Sequence, residues 1–154
     1  MGSPIKAGTA DVSTVIRIVD STTGLPETTV EHDSTGIDLW YRRDVDPGGT
    51  PLAKVSITEV ALTSLTAAHD PGGIEHIGDG YYRLDLPDAA FITGAIGVLI
   101  GGTVTDMLVT GNYHPIVEFD LAGTEGALLA ASAAGPAIPL ITGGLQTHIN
   151  GGCL

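Results

Sequence analysis

Cysteine is almost missing from this chain: Cys153 is the only one among 154 residues. A single thiol can close no intrachain disulfide and build no cysteine zinc cage, which fits synthesis in a reducing compartment. Basic residues are nearly as scarce. Six Lys and Arg against 18 Asp and Glu leave a formal charge of −12. A surface of that sign repels phosphate and anionic lipid, so the expected partners include neither nucleic acid nor a membrane surface. No apolar run approaches the roughly 20 residues of a membrane helix; the longest, residues 95–100, is broken by Gly97. Met1-Gly2-Ser3-Pro4 lacks the charged-then-apolar order of a secretory signal, and Lys6 stands where a myristoylation signature carries Ser or Thr. An unprocessed soluble chain is the expectation.

What is present points to strands. Hydrophobic residues make up 43% of the chain, enough for one core, and glycine is heavy at 22 residues with 9 prolines. Gly and Pro punctuate turns and Thr suits strands, which argues against a helical bundle. Val12, Thr14, Ile16 and Ile18 alternate with Ser13, Val15, Arg17 and Val19 before the dense turn residues 20–26. Ile37, Leu39 and Tyr41 alternate with Asp38, Trp40 and Arg42, and Val55 to Val60 repeats the pattern. Residues 61–73 read either as one helical turn or as an irregular loop. Further strands are expected at Gly80–Leu86, Ala95–Ile100, Val104–Val109 and Tyr113–Leu121, with a short helical turn after Pro87. Gly101-Gly102 and Gly111-Asn112 read as the turns between them. Seven or eight short strands without crossover helices predict an all-β sandwich or barrel, antiparallel and Ig-like or jelly-roll-like.

The composition changes after Leu121. Residues 122–154 hold no Lys or Arg, a single acid (Glu125), and much Ala and Gly. The chain therefore reads as a β-domain over 1–121 and a C-terminal extension over 122–154. Leu140, Ile141, Leu145, His148 and Ile149 make that extension apolar enough to want burial. Two placements stay open: a closing segment along its own domain, or an arm across a neighbouring subunit.

Candidate chemistry is thin. Asp44-x-Asp46 glances at a calcium loop, but Gly48 and Val55 occupy positions where that loop needs oxygen ligands. His69 and His76 flank Asp70 and Glu75, across a Pro-Gly-Gly loop that fixes no ligand geometry. His114 and His148 could meet in copies around a symmetry axis and hold an ion. Cys153 lies in a glycine-rich end unsuited to orienting a thiolate and base, and no Gly-x-Ser-x-Gly elbow occurs. Trp40, Tyr41, Tyr81 and Tyr82 would make a sugar platform only if they shared a face, and strand alternation sends at most half to one side. The residues predict no enzyme, no metal site and no cofactor.

The stretch Val15-Ile16-Arg17-Ile18-Val19-Asp20, running into Ser21-Thr22-Thr23-Gly24-Leu25-Pro26, is followed by Leu39-Trp40-Tyr41-Arg42. Together with Gly80-Tyr81-Tyr82-Arg83-Leu84-Asp85-Leu86-Pro87-Asp88-Ala89-Ala90 and Thr93-Gly94-Ala95, it resembles a β-sandwich domain of tailed-bacteriophage virion structural proteins. The resemblance covers about two-thirds of the chain, from Val12 to Leu121. It implies a head decoration (cement) protein or a baseplate or fibre component, with no catalytic residues. No shaft-forming repeat or coiled coil is present, so the expectation is a cement protein on the outer capsid face. That protein would be a homotrimer contacting the major capsid protein through Leu140, Ile141, Leu145, His148 and Ile149. A receptor- or carbohydrate-binding tail module, with Trp40 as its first contact, is the alternative.

Overall fold

The computed structural model describes residues 2–44 and 53–118, all within a unit spanning Met1–Phe119. Ten strands carry the fold: β1 Ile5–Lys6, β2 Ser13–Asp20, β3 Asp38–Asp44, β4 Val55–Ser56, β5 Val60–Ala61, β6 Gly73–Gly78, β7 Tyr81–Asp85, β8 Gly97–Val104, β9 Met107–Thr110 and β10 Tyr113–Val117. One short 3-10 turn, Asp88–Phe91, follows Pro87, where a proline with fixed φ starts a helical turn readily. The fold is all-β.

The hydrogen-bonded order runs β1-β10-β8-β9-β2-β7-β6-β5, with β3 on the other edge of β8 and β4 outside β3. Most pairings are antiparallel; β1·β10 and β5·β6 are parallel, so the sheet is mixed. Asp79 and Gly80, both at positive φ, form the tight turn between β6 and β7, a conformation that suits Asp-Gly. β9 and β10 are one line along β8, with the register slipping by a residue between Thr103↔Leu108 and Tyr113↔Leu99. At this bulge the line parts from β2: its first half pairs with β2 and its second half with β1.

Two edge strands of the sheet come from a single stretch of chain. Val55 and Ser56 pair with β3 at one edge, and four residues later Val60 and Ala61 pair with β6 at another. Residues 55–61 therefore cross from one edge to the other, with Ile57 turned inward at 5% exposure and its N–H bonded to Leu39 O at 2.8 Å. The uninterrupted Val55–Val60 strand expected from alternation is split because its two ends serve opposite edges.

Alternation supplies the core. Ile16 and Ile18 of β2, Leu39 and Tyr41 of β3, Tyr82 and Leu84 of β7, and Val98, Ile100 and Val104 of β8 all turn inward into one cluster. Phe91 and Ala90 of the 3-10 turn plug it, both fully buried. A side chain of this kind contributes about 1.5–3 kcal/mol when fully buried.

Residues 62–72 run as an irregular loop, one of the two readings left open for this stretch. One turn moves. Gly101-Gly102 is no turn: β8 continues through it to Val104, and the hairpin turns at Thr105-Asp106. A Cβ on Gly101 would enter the Trp40 ring, and one on Gly102 would strike the Leu39 side chain. The glycines keep β8 narrow so that β3 can lay Trp40 on the outer face and Leu39 on the inner face at paired positions.

Candidate functional site

A pocket of about 340 Å³ opens between the segment 28–32, residues 61–62 at the end of β5, and Ile74–His76 of β6. Its origin is readable from register. Ala61 pairs with Ile74 and Tyr82 with His76, so Ala61 and His76 take inward positions. Ala61 nevertheless remains exposed; a methyl is too short to fill the wall at that point. The segment opposite is held by Tyr82, whose hydroxyl donates to Glu27 O at 2.9 Å and accepts from Val30 N–H at 3.2 Å. Burial raises the Tyr82 pKa above its ordinary value; the nearby Glu27 charge adds to this, and the Val30 N–H opposes it. Val30, Leu62 and Ile74 give the pocket an apolar floor, each under 9% exposed. Glu31, His32, Glu75, His76 and two threonines bring polar chemistry, and the lining holds no Lys or Arg. The His76 ring lies 4.9 Å from that of Tyr82, and its Nε2 is buried without a hydrogen-bond partner among the described residues.

The outward face of β9, β2 and β7 is the second feature. Val15 (43% exposed), Tyr81 (44%) and Leu108 (56%) stand on it, and Ile77 (46%) is exposed beside Tyr81 just before the β6–β7 turn. Register places Leu108 against Val19 and sets Arg17 between Thr110 and Tyr81. The Arg17 guanidinium lies 5.6 Å over the Tyr81 ring and forms no ion pair among the described residues.

Lower on β7 the same face is covered. Asp85 is fully buried there, taking Arg83 Nε and Nη2 at 2.8 Å each, Ser13 Oγ at 2.6 Å and Asp70 N–H at 3.0 Å. Arg83 Nη1 also donates to Leu65 O and Ala67 O at 2.8 and 3.0 Å. Burial pushes the Asp85 pKa up; Arg83, Ser13 and the Asp70 N–H outweigh it and leave it below the ordinary carboxylate value. This clamp fastens the 62–72 loop to the sheet and is structural. The Arg83-x-Asp85 spacing, two residues apart on one strand face, is its trace in the sequence.

Among the described residues His32 and His76 share the pocket lining, while His69 and His114 lie apart from it. His69 Nδ1 lies 3.3 Å from Asp11 Oδ1, and its Nε2 is 3.3 Å from Val12 O. His114, at 8% exposure, bridges Thr14 Oγ1 at 2.9 Å and Ser3 O at 3.3 Å, tying the N-terminal residues to β2 and β10. Among the described residues no group of three or more His, Cys, Asp or Glu could hold a metal. Asp44 pairs with Arg42 at 3.5 Å, while Asp46 falls outside the described residues. Leu140, Ile141, Leu145, His148 and Ile149 also lie outside them.

Trp40 and Tyr81 do point outward while Tyr41 and Tyr82 are buried. Trp40 rests across Gly101, with Lys54 Nζ 5.7 Å from the ring. Backbone and an ammonium thus occupy space that a stacked sugar would need. Among the described residues no helix is long and apolar enough to cross a membrane. No family model, curated protein or solved structure matches the chain.

Proposed function

We propose that this chain is a non-enzymatic virion structural protein, a capsid decoration (cement) subunit that binds the outside of a phage head and associates with its own copies, most simply as a homotrimer. The observation that carries the reading is the outward face of β9, β2 and β7: Val15, Tyr81 and Leu108 are exposed in register around Arg17, which forms no ion pair among the described residues. Apolar and aromatic side chains around an arginine are the composition of interface hot spots. The resemblance of residues 12–121 to tailed-phage β-domains supports the same assignment, and the charge of −12 favours the outer surface over the DNA-filled interior. Several modest contacts per trimer then give firm attachment through multivalency.

The test is a pair of charge insertions. Val15→Asp with Leu108→Asp places carboxylates on exposed positions, where the fold should change by no more than about 0.5 kcal/mol per substitution. Light scattering should show loss of the trimer, and co-sedimentation should show loss of binding to purified heads. Full assembly and attachment by the double variant would refute the assignment of this face.

A further inference from the structure

We propose that the pocket between segment 28–32 and β5–β6 receives a lysine or arginine side chain from the docking partner. The inference rests on the reading of the chain as a docking protein and names the chemistry of one contact. Three observations carry it. Val30 and Ile74 give the floor an apolar surface continuous with the core, matching the methylene stem of a long basic side chain. Glu31 contributes to the lining without any Lys or Arg, in a molecule of charge −12, so a cation is attracted and an anion repelled. His76 Nε2 is buried without a partner among the described residues; in the Nδ1–H tautomer it is an acceptor that an N–H donor entering beside the ring would satisfy. A bare metal ion fits less well, because no three ligating groups converge among the described residues. At about 340 Å³ the space is at the small end of ligand pockets and has room for one long side chain.

The experiment titrates the isotopically labelled full chain with Nα-acetyl-lysine amide and Nα-acetyl-arginine amide, following backbone amides by NMR. Nα-acetyl-norleucine amide, Nα-acetyl-glutamate amide and zinc chloride serve as comparisons. Saturable shifts at Ala61, Ile74 and His76 with the basic ligands are expected, with norleucine amide weaker by about fivefold or more. Glu31→Gln should reduce that preference. Ala61→Leu, which fills an exposed gap, should abolish binding while the remaining spectrum stays unchanged. Equal binding of norleucine amide, zinc binding in place of the basic ligands, or no shift at all would overturn the proposal. Head attachment is measured separately. Unchanged attachment by Ala61→Leu would remove the pocket from the docking contact. A wild-type chain that binds lysine amide but no head would instead refute the assigned function and leave the pocket chemistry standing.

Discussion

Replacing Asp85 by alanine tests whether the carboxylate clamp holds the 62–72 loop. The side chain is fully buried and accepts four hydrogen bonds, two of them from Arg83. Removing one partner of a buried ion pair leaves the other uncompensated, at about 3–5 kcal/mol. Arg83 keeps 15% of its side chain exposed and retains its bonds to Leu65 O and Ala67 O, so it can rehydrate in part. The lower end, about 3 kcal/mol, is therefore expected, or a fall in Tm of roughly 12 °C for a domain of this size. Urea unfolding at neutral pH reads the loss. Amide exchange should accelerate at Asp70, whose N–H loses its acceptor.

The acid limb is an independent check. A carboxylate with a lowered folded pKa stabilises the fold above its unfolded value, near 4, and that contribution disappears as pH falls through the folded pKa. The stability difference between wild type and Asp85→Asn should therefore shrink below about pH 4. A neutral-pH loss under about 1 kcal/mol for Asp85→Ala, or a wild-type-to-Asn difference unchanged at low pH, would refute the clamp.

Two further perturbations address the glycine pair and the pocket wall. Gly101→Val should push Trp40 off β8, red-shifting the emission of this single tryptophan and destabilising the fold by about 1–3 kcal/mol; unchanged emission would contradict the close approach. Tyr82→Phe should cost about 1–3 kcal/mol and raise amide exchange across residues 27–30, since Glu27 O and Val30 N–H both lose their partner. Because the Tyr82 pKa is raised on folding, its contribution is complete below the ordinary phenol value, near 10, and is lost above it. Wild type should accordingly lose more stability than Tyr82→Phe in alkali.

The strands were legible where one face is buried and the other wet. In β2, β3 and β7 the alternation alone separates Ile16, Ile18, Leu39, Tyr41, Tyr82 and Leu84 from their outward neighbours. It is silent on which strand lies beside which, because period two records a face and not a partner. Gly101-Gly102 misleads for a related reason. Paired glycines between apolar runs look the same whether they let the chain turn or let a neighbour approach. Trp40, a bulky residue on a strand, was the one hint that some neighbour had to be small. The true turn, Thr105-Asp106, carries no glycine; Asp106 supplies the positive φ instead.

The pocket was invisible for a deeper reason. It arises where the chain crosses between two edge strands and meets a residue too short for its position. Residues 55–61 must leave one edge and reach the other, and after the Ile57 N–H bond to Leu39 O strand pairing lapses until Val60. Where pairing resumes, Ala61 falls inward opposite Ile74 and leaves uncovered the wall that His76 shares. A larger residue at 61 would have given a cleaner alternation, a fuller core and no opening. The same alanine that weakens the strand pattern in the sequence therefore makes the cavity in the fold, and Ala61→Leu is the substitution that separates a packing defect from a binding site.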